Sequence, residues 1–277
     1  MQDKTLDSTE KGRILICSFE EQLQAFADAV YGQDSDEDVA VPIAKSLCFG
    51  IQSSGKSLTE LANRKRLRDC AIIARAIFET LTNVLYLYAS DRSVVQDMID
   101  HAKSKLARDL KRDVQAGSVT MSIRNASFDE ISSRPDNRRA IDRFTRRSGK
   151  EMRHWTDVSL SDRLDSIEKR FGTKVTTMLC CAFENYRFSS EVLHGTVYSI
   201  CAQIGGTALG HPQSPEEFEH HTRENVYKLL LTHGASLGQS AIVLANDDTV
   251  DKIVRRVKAA QDEAIGCVLP ADEGDDQ

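Results

Sequence analysis

The chain has 277 residues, of which 40% are hydrophobic and 28% are charged. These proportions are typical of a folded globular protein and exclude collagen-like, low-complexity and wholly disordered chains. The aromatic share of 6% and the five prolines disfavour a β-sandwich or barrel with many turns. The sequence contains no apolar run of the ~18 residues that a membrane span needs, and its first residues lack the apolar segment of a signal peptide. We therefore expect a soluble, cytoplasmic protein without membrane contact.

Apolar residues recur at intervals of three and four along most of the chain, which is the spacing of helices that bury one face. The third predicted helix is apolar around most of its circumference, so we expect it at the centre of the fold. We find no strand alternation and no repeat of fixed period. The sequence therefore predicts an all-α multi-helix bundle. The predicted helices run over residues 14–31, 42–62, 67–89, 91–115, 174–204 and 215–245, with short helices after Ser127 and Ser159 and a last one after Asp247 or Asp248.

Local signals mark several helix ends. Ser214 is an N-cap residue followed by proline at the first helical position and by glutamate three residues after the cap. Ser127 and Ser159 each stand three residues before an acidic residue, in the spacing of a capping box. Gly50 and Gly55 are expected to soften or interrupt the second helix.

The same pass along the chain predicts its domain organisation. We expect a single helical domain over residues 12–266. A flexible, polar N-terminal tail over residues 1–11 precedes this domain, and an acidic C-terminal tail over residues 267–277 follows it.

The charge is unevenly distributed along the chain. Residues 101–175 hold 18 basic and 11 acidic side chains, whereas the remainder holds 18 and 31. A concentrated basic stretch binds phosphates by releasing their counterions, and a nearby tryptophan such as Trp155 can stack on a base. A solvated helix face with local ion pairs, and a tryptophan packed in the core, are the alternatives. The basic stretch comprises Arg134, Arg138, Arg139, Arg143, Arg146, Arg147, Lys150 and Arg153.

The predicted central helix carries a charged pair. Arg75 and Glu79 are four residues apart and therefore lie on one face, and Asn83 extends this polar stripe by one turn. Charges on so apolar a helix must be paired and hydrogen-bonded, because an unpaired buried charge is costly. The pair either fixes the packing of the helix or lines a cleft in which it holds another group.

A second polar group lies on the helix predicted over 174–204. Arg187 and His194 are seven residues apart, so they project from one edge of the helix about 10.5 Å apart along its axis. Tyr186 and Ser190 lie on the neighbouring core-facing stripe. A permanent cation beside a histidine, whose proton exchanges near neutral pH, suits phosphoryl chemistry. A structural histidine beside a packed face is the alternative.

The spacing from Arg187 to His194 on a long helix resembles the Rx4-6H motif of HEPN domains, which are helical bundles found in many prokaryotic ribonucleases, toxins and defence proteins. The resemblance implies metal-independent RNA cleavage in a site that two protomers form together, and hence a homodimer. It assigns Arg187 and His194 to the motif positions and adds Arg75 and Glu79 as supporting members of the catalytic set. It also raises the expectation of a protein partner in a toxin or antiviral defence system.

A longer pattern also resembles an uncharacterised bacterial family of helical proteins. It consists of Ala74-Arg75-x3-Glu79-Thr80 followed by Tyr186-x3-Ser190-x3-His194-Gly195, and it covers roughly residues 60 to 200. This pattern links the two polar groups, with Tyr186, Ser190 and Asn83 in supporting places. It implies no particular activity.

The hypothesis that follows is RNA cleavage by internal attack, which needs no metal or other cofactor. Glu217 and His220 match one element of a di-metal bundle, but the sequence has no second copy, so we expect no metal site. The alternative is a non-catalytic helical module that binds a nucleic acid, a nucleotide or a protein partner through the same polar cleft. The sequence leaves both functions open.

Overall fold

The computed structural model describes residues 5–34, 39–203, 205 and 212–268. Within these residues it contains eleven α-helices and one two-stranded antiparallel sheet, which confirms the predicted all-α bundle. The strands are β1 (Lys111–Ala116) and β2 (Val119–Arg124). The helices are α1 (Glu10–Tyr31), α2 (Ala40–Asn63), α3 (Leu67–Ala89), α4 (Arg92–Asp109), α5 (Phe128–Ser133), α6 (Pro135–Arg143), α7 (Leu160–Phe171), α8 (Thr173–His194), α9 (Val197–Gln203), α10 (Pro215–Leu244) and α11 (Val250–Val268).

The chain divides into two compact units. The first consists of residues 1–89 and 163–277, and the second of residues 90–162. Residues 90–162, an internal stretch of the single domain expected over residues 12–266, thus form a compact unit of their own. Most of the predicted acidic tail, residues 269–277, lies outside the described residues.

Helix α3 is the core helix of the first unit. Ile77, Leu81, Val84 and Leu85 are at most 1% exposed, and α2, α8 and α10 pack against α3. By length and composition this helix is apolar enough to cross a membrane, but 61% of its most apolar window is buried inside the protein. Most of the apolar surface of this helix is therefore used for packing inside the protein.

Helix α2 continues through both glycines at which we expected it to soften. Gly50 faces open space, whereas a Cβ atom at Gly55 would lie 2.4 Å from a terminal methyl carbon of Leu23 on α1. The missing side chain at Gly55 lets α1 and α2 approach closely. This glycine therefore serves the packing of two helices and does not break one.

The N-terminal segment is folded from residue 5 onward. Leu6 is fully buried in the 3₁₀ turn Leu6–Ser8, and α1 already begins at Glu10. A Cβ atom at Gly12 would lie 2.0 Å from the carbonyl oxygen of Leu6, so only glycine fits there. Residues 5–11 of the tail predicted over residues 1–11 are therefore folded, because the side chain of Leu6 gains burial by folding back. Residues 1–4 lie outside the described residues.

Two of the three serine caps form as predicted. The Oγ atoms of Ser159 and Ser214 accept the N–H groups of Asp162 and Glu217, both at 3.2 Å. Helix α5 begins directly after Ser127, but this serine forms no side-chain cap bond. The sequence pattern therefore located all three helix starts and was wrong about one cap.

In the second unit a hairpin replaces the end of a predicted helix. Helix α4 ends at Asp109, whereas we predicted it to continue to Gln115, and the chain enters β1 and β2. Gly117 has a φ of 60° and supplies the tight turn between the strands. Val114 pairs with Met121 on one face, and both are more than 40% exposed. Because each strand has only six residues and neither face is buried, the alternation of apolar and polar residues in this hairpin was not recognised as a strand signal.

His233 of α10 is buried in the first unit. It is 2% exposed, and its Nδ1 atom lies 2.9 Å from the carbonyl oxygen of Leu229. Burial lowers the pKa of His233 to about 4, although hydrogen bonds with the carbonyl groups of Leu229 and Ala74 oppose this shift. A histidine in an unfolded chain titrates near pH ~6.5. Between these two values the unfolded chain binds more protons than the folded one.

We therefore expect His233 to make the protein less stable as the pH falls from about 6.5 toward 4, and to have no such effect above that range. The expected loss in the free energy of unfolding is about 2 kcal/mol between pH ~7 and ~5. Urea unfolding at the two pH values measures it. The pH dependence should shrink in His233→Asn and stay as in the wild type in His220→Asn, an exposed residue of the same helix. An unchanged dependence in His233→Asn would contradict the assignment.

Candidate functional site

Helix α8 carries the predicted motif and ends earlier than expected. The sequence predicted one helix over 174–204, but Gly195, with a φ of 63°, ends α8. The N–H groups of Gly195 and Thr196 bond back to carbonyl groups of the last turn, as in a Schellman motif. The prediction of an unbroken helix is wrong here because glycine adopts this left-handed conformation without steric cost. His194 is therefore the last residue of α8, and α9 is a separate helix.

Arg75 connects α3 to α8. Its Nε atom donates to Oε1 of Glu79 at 2.9 Å, and its Nη2 atom donates to the hydroxyl oxygen of Tyr186 at 3.2 Å. The guanidinium carbon also lies 4.6 Å from the centroid of the Tyr186 ring, close enough for a cation–π interaction. The predicted pair on α3 thus has a third member on α8. We call Arg75, Glu79 and Tyr186 the arginine cluster.

Aromatic rings of α3 and α8 pack together beside the arginine cluster. The ring of Phe78 on α3 lies 5.8 Å from that of Tyr186 and 6.0 Å from that of Phe183, and the two α8 rings stack at 5.4 Å. Phe78 is buried, whereas Phe183 is partly exposed. These contacts fix which side of α8 faces α3.

Asn83 has a partner that the sequence did not indicate. Its Oδ1 atom accepts a hydrogen bond of 2.6 Å from Nη1 of Arg163, which lies in the first turns of α7. Arg163 is half-buried, and its Nε atom has no hydrogen-bond partner among the described residues. Since α7 and α3 are far apart in the chain, no spacing rule could have paired these two residues. Asn83 therefore links α3 to α7 and not directly to the motif on α8.

Burial and charge shift the ionisation of this region. Burial lowers the pKa of Arg75, but the hydrogen bond and charge of Glu79 more than compensate, so this pKa is raised. Burial also raises the pKa of Tyr186, with a further contribution from the charge of Glu79. For Arg163, burial lowers the pKa and nearby Glu79 only partly offsets it. Glu79 is thus the carboxylate whose charge favours the protonated forms of both arginines.

The two motif residues face the solvent. Arg187 and His194 are exposed, and Ser190 between them is half-buried. Neither Arg187 nor His194 forms a side-chain hydrogen bond or an ion pair with any described residue. The structure thus brings together Arg75, Glu79 and Tyr186, and shows no side-chain hydrogen bond or ion pair that joins Arg187 or His194 to them among the described residues.

Large apolar side chains surround the end of α8. Leu193 is 53% exposed, and Val197, Tyr198 and Ile200 of α9 are 77%, 63% and 56% exposed. Several large apolar side chains exposed within one short stretch of chain indicate an interaction site. We call these four residues the apolar patch. It lies directly beside His194 in the chain.

The basic stretch lies in the second unit and divides into two groups. Arg134, Arg139 and Arg143 form ion pairs with acidic residues of the same unit. Thr145 and Glu151 pair as an isolated bridge, which folds the residues between them into a tight turn. Trp155 is half-buried. The remaining five basic residues are exposed and have no ion pair or side-chain hydrogen bond with a described residue: Arg138, Arg146, Arg147, Lys150 and Arg153.

A family of unknown function (DUF5677) matches residues 43–206 of the chain. The matched stretch contains α3 and α8, and therefore both polar groups that the sequence singled out. No curated protein and no solved structure matches. In the described residues, no group of three or more His, Cys, Asp or Glu side chains could hold a metal ion.

The arginine cluster and the motif residues should respond differently to truncation. Glu79→Ala leaves the guanidinium of Arg75, whose side chain is only 19% exposed, without its carboxylate. We expect this change to lower the free energy of unfolding by about 1–2 kcal/mol. Arg187→Ala removes an exposed side chain that has no partner among the described residues, and it should change the free energy of unfolding by less than about 0.5 kcal/mol. Urea unfolding of the two variants measures the difference, and equal losses would argue against a structural role of the cluster.

Proposed function

The chain belongs to the DUF5677 family of unknown function, and from this premise we propose that it is a metal-independent, HEPN-like endoribonuclease. The observation that carries the proposal is the state of Arg187 and His194. They occupy the motif positions on one edge of α8, face the solvent and have no partner among the described residues. Polar side chains in this state are available to a substrate at little cost, since binding breaks no existing contact.

The arginine cluster then acts as a positioning device. Arg75 and Glu79 are already engaged with each other and with Tyr186, so they do not need to touch the substrate. By holding Tyr186 against α3, they set the rotation of α8 about its own axis. Ser190 lies on the same helix between the two motif residues. This arrangement favours supporting roles for Arg75, Glu79, Tyr186 and Ser190.

The chemistry that suits these groups is internal attack. The 2′-oxygen of a ribose forms a bond to the adjacent phosphorus, and the bond from phosphorus to the 5′-oxygen of the next nucleotide breaks. A proton leaves the 2′-hydroxyl, and another is delivered to the departing oxygen. A histidine can perform either transfer, and an arginine stabilises the charge that develops on the phosphate. His194 and Arg187 have these roles in the proposal.

A second copy of the chain would complete the site. The reaction needs one group that accepts a proton and one that donates a proton, and a single chain presents one histidine at the motif. Pairing two copies through the apolar patch would bury Leu193, Val197, Tyr198 and Ile200 and bring two His194 side chains near each other. A homodimer is therefore part of the proposal, and it explains why large apolar side chains stand beside the motif.

RNA is the proposed substrate, and the second unit offers a surface for its backbone. Its five exposed basic residues without an ion pair in the described part of the chain can neutralise phosphates, and Trp155 can contribute stacking. A nuclease of this type in the cytoplasm requires control, so the proposal includes a protein partner in a toxin or antiviral defence system. These same cations are also the observation that favours the second candidate function, a module that binds nucleic acid without cutting it.

The decisive measurement is cleavage of labelled single-stranded RNA in the presence of EDTA. We expect the wild type to cut RNA, and His194→Ala and Arg187→Ala to be slower by at least about 100-fold, since each removes a group that acts in the transition state. His220→Ala, which changes an exposed histidine on α10, should cut normally. A 2′-deoxy substitution should block cleavage at the nucleotide that carries it.

Cleavage that persists in His194→Ala, or that EDTA abolishes, would contradict the proposed reaction. RNA binding by the wild type and by His194→Ala without cleavage in either would favour the binding module. Unfolding curves of all variants show whether lost activity reflects lost structure.

The apolar patch should set the oligomeric state. We expect Val197→Asp to shift the protein from dimer to monomer and to lower RNA cleavage, because a charge cannot be buried in an apolar interface at small cost. Phe49→Asp is the matched control, since Phe49 on α2 is 70% exposed and lies outside the patch. Sedimentation or light scattering gives the masses. A wild type that is monomeric at all accessible concentrations would remove this part of the proposal.

A further inference from the structure

The edge of α8 that carries the two motif residues also carries an exposed aromatic ring. Phe183 is 40% exposed and lies one turn before Arg187. In an α-helix of about 3.6 residues per turn, Phe183, Arg187 and His194 point into one sector of about 40°. Arg187 follows Phe183 by about 6 Å along the helix axis. The ring and the guanidinium group are therefore neighbours on one surface.

The ring of Phe183 is held in a fixed orientation. It stacks on the ring of Tyr186 with 5.4 Å between the centroids and 20° between the planes, and it lies 6.0 Å from the ring of Phe78. Tyr186 in turn is bound by Arg75 through its hydroxyl group and its ring face. Because Tyr186 covers one face of the Phe183 ring, a flat ligand on the exposed side would extend an existing stack. The protein would lose little side-chain freedom in such a complex.

The charges of α8 indicate from which side an anion approaches Arg187. The guanidinium group of Arg187 has no ion pair or side-chain hydrogen bond with a described residue. Glu184 and Glu191 lie further round the helix, on the side of Arg187 that is turned away from Phe183. Glu184 is paired with Lys228 at 2.9 Å, whereas Glu191 has no ion pair in the described part of the chain. Since this carboxylate repels an anion, an anion bound to Arg187 lies on the side of Phe183.

An unpaired nucleotide has the two parts that this surface can bind. Its base offers a flat face that stacks on an aromatic side chain, and its phosphate binds a guanidinium group. In a duplex the neighbouring bases cover both faces of each base, so the base must be splayed out of a single strand to reach an aromatic side chain.

We propose that Phe183 binds the base of an unpaired RNA nucleotide whose phosphate lies at Arg187. The inference rests on the proposed binding of RNA at Arg187, and it holds whether or not the RNA is cut. It makes Phe183 the residue that selects single-stranded RNA over a duplex at this site.

Binding to the full chain tests the proposal with three fluorescent probes. The first is a single strand of 2′-O-methyl RNA, which internal attack cannot cleave because its 2′-oxygen carries no proton. The second is the same strand annealed to its complement, and the third is an abasic strand that keeps the same phosphates. We expect the wild type to bind the single strand at least about tenfold more tightly than the abasic strand, because only the former offers a base.

Variants separate stacking from charge. Phe183→Leu should weaken binding of the single strand about tenfold and leave binding of the duplex and of the abasic strand unchanged, since leucine has no aromatic face. Phe183→Tyr should bind as the wild type does. Phe49→Leu is the matched control, because Phe49 on α2 is 70% exposed and lies on another helix. Arg187→Ala should weaken binding of the abasic strand as well, because it removes a contact with phosphate.

A tryptophan placed at the site gives a direct signal of stacking. Trp155→Phe removes the one native tryptophan. In that background, the emission of the ring introduced by Phe183→Trp should be quenched by the single strand and not by the abasic strand. Phe49→Trp in the same background should be quenched by neither. This signal does not depend on how well Phe183→Leu folds.

Four results would overturn the proposal: no binding of the single strand, equal affinity of the wild type for the single strand and the abasic strand, equal weakening of both by Phe183→Leu, or no quenching in Phe183→Trp. Failure of this proposal differs from failure of the proposed cleavage. RNA cleavage together with unchanged binding in Phe183→Leu removes the role of Phe183 alone. Binding that requires Phe183, without cleavage of unmodified RNA, removes the nuclease and supports the role of Phe183.

Discussion

The contact of the Arg75 guanidinium with Tyr186 determines how α8 presents its residues. Arg75 is mostly buried and charged, so it must keep its bonds to Glu79 and to the hydroxyl of Tyr186. Tyr186 is thereby fixed against α3. Because successive residues of a helix are rotated by about 100°, Arg187 is turned away from α3. His194, two turns beyond Arg187, then lies on the same exposed edge.

Charged side chains in this protein therefore fall into two energetic classes. Arg75, Glu79 and Arg163 hold α3, α7 and α8 together, and their removal leaves buried groups without partners. Arg187 and His194 contribute little to holding the fold, since neither side chain has a partner among the described residues. Charges that the fold does not use are those that a ligand can use at the lowest cost, and the proposed RNA-cleaving site is built from them.

The sequence alone predicted most of the helical architecture. The apolar pattern of α3 gave its position in the core, and the serine at position 214 gave the start of α10. The pair Arg75 and Glu79 was visible because four residues make a helical turn. The end of α8 depends on the backbone conformation of one residue, Gly195, and the apolar pattern did not predict it. The hairpin of β1 and β2 was missed because it buries no face.

Contacts between distant parts of the chain were not predictable in the same way. Arg75 and Tyr186 lie on α3 and α8, 111 residues apart in the chain. Arg163 likewise reaches Asn83 from another helix. The sequence by itself determined the helices and the identity of their polar residues, since periodicity and capping are local properties. Only the tertiary structure decided which of those residues are bonded and which are free, because that depends on which helices pack together and in what rotation.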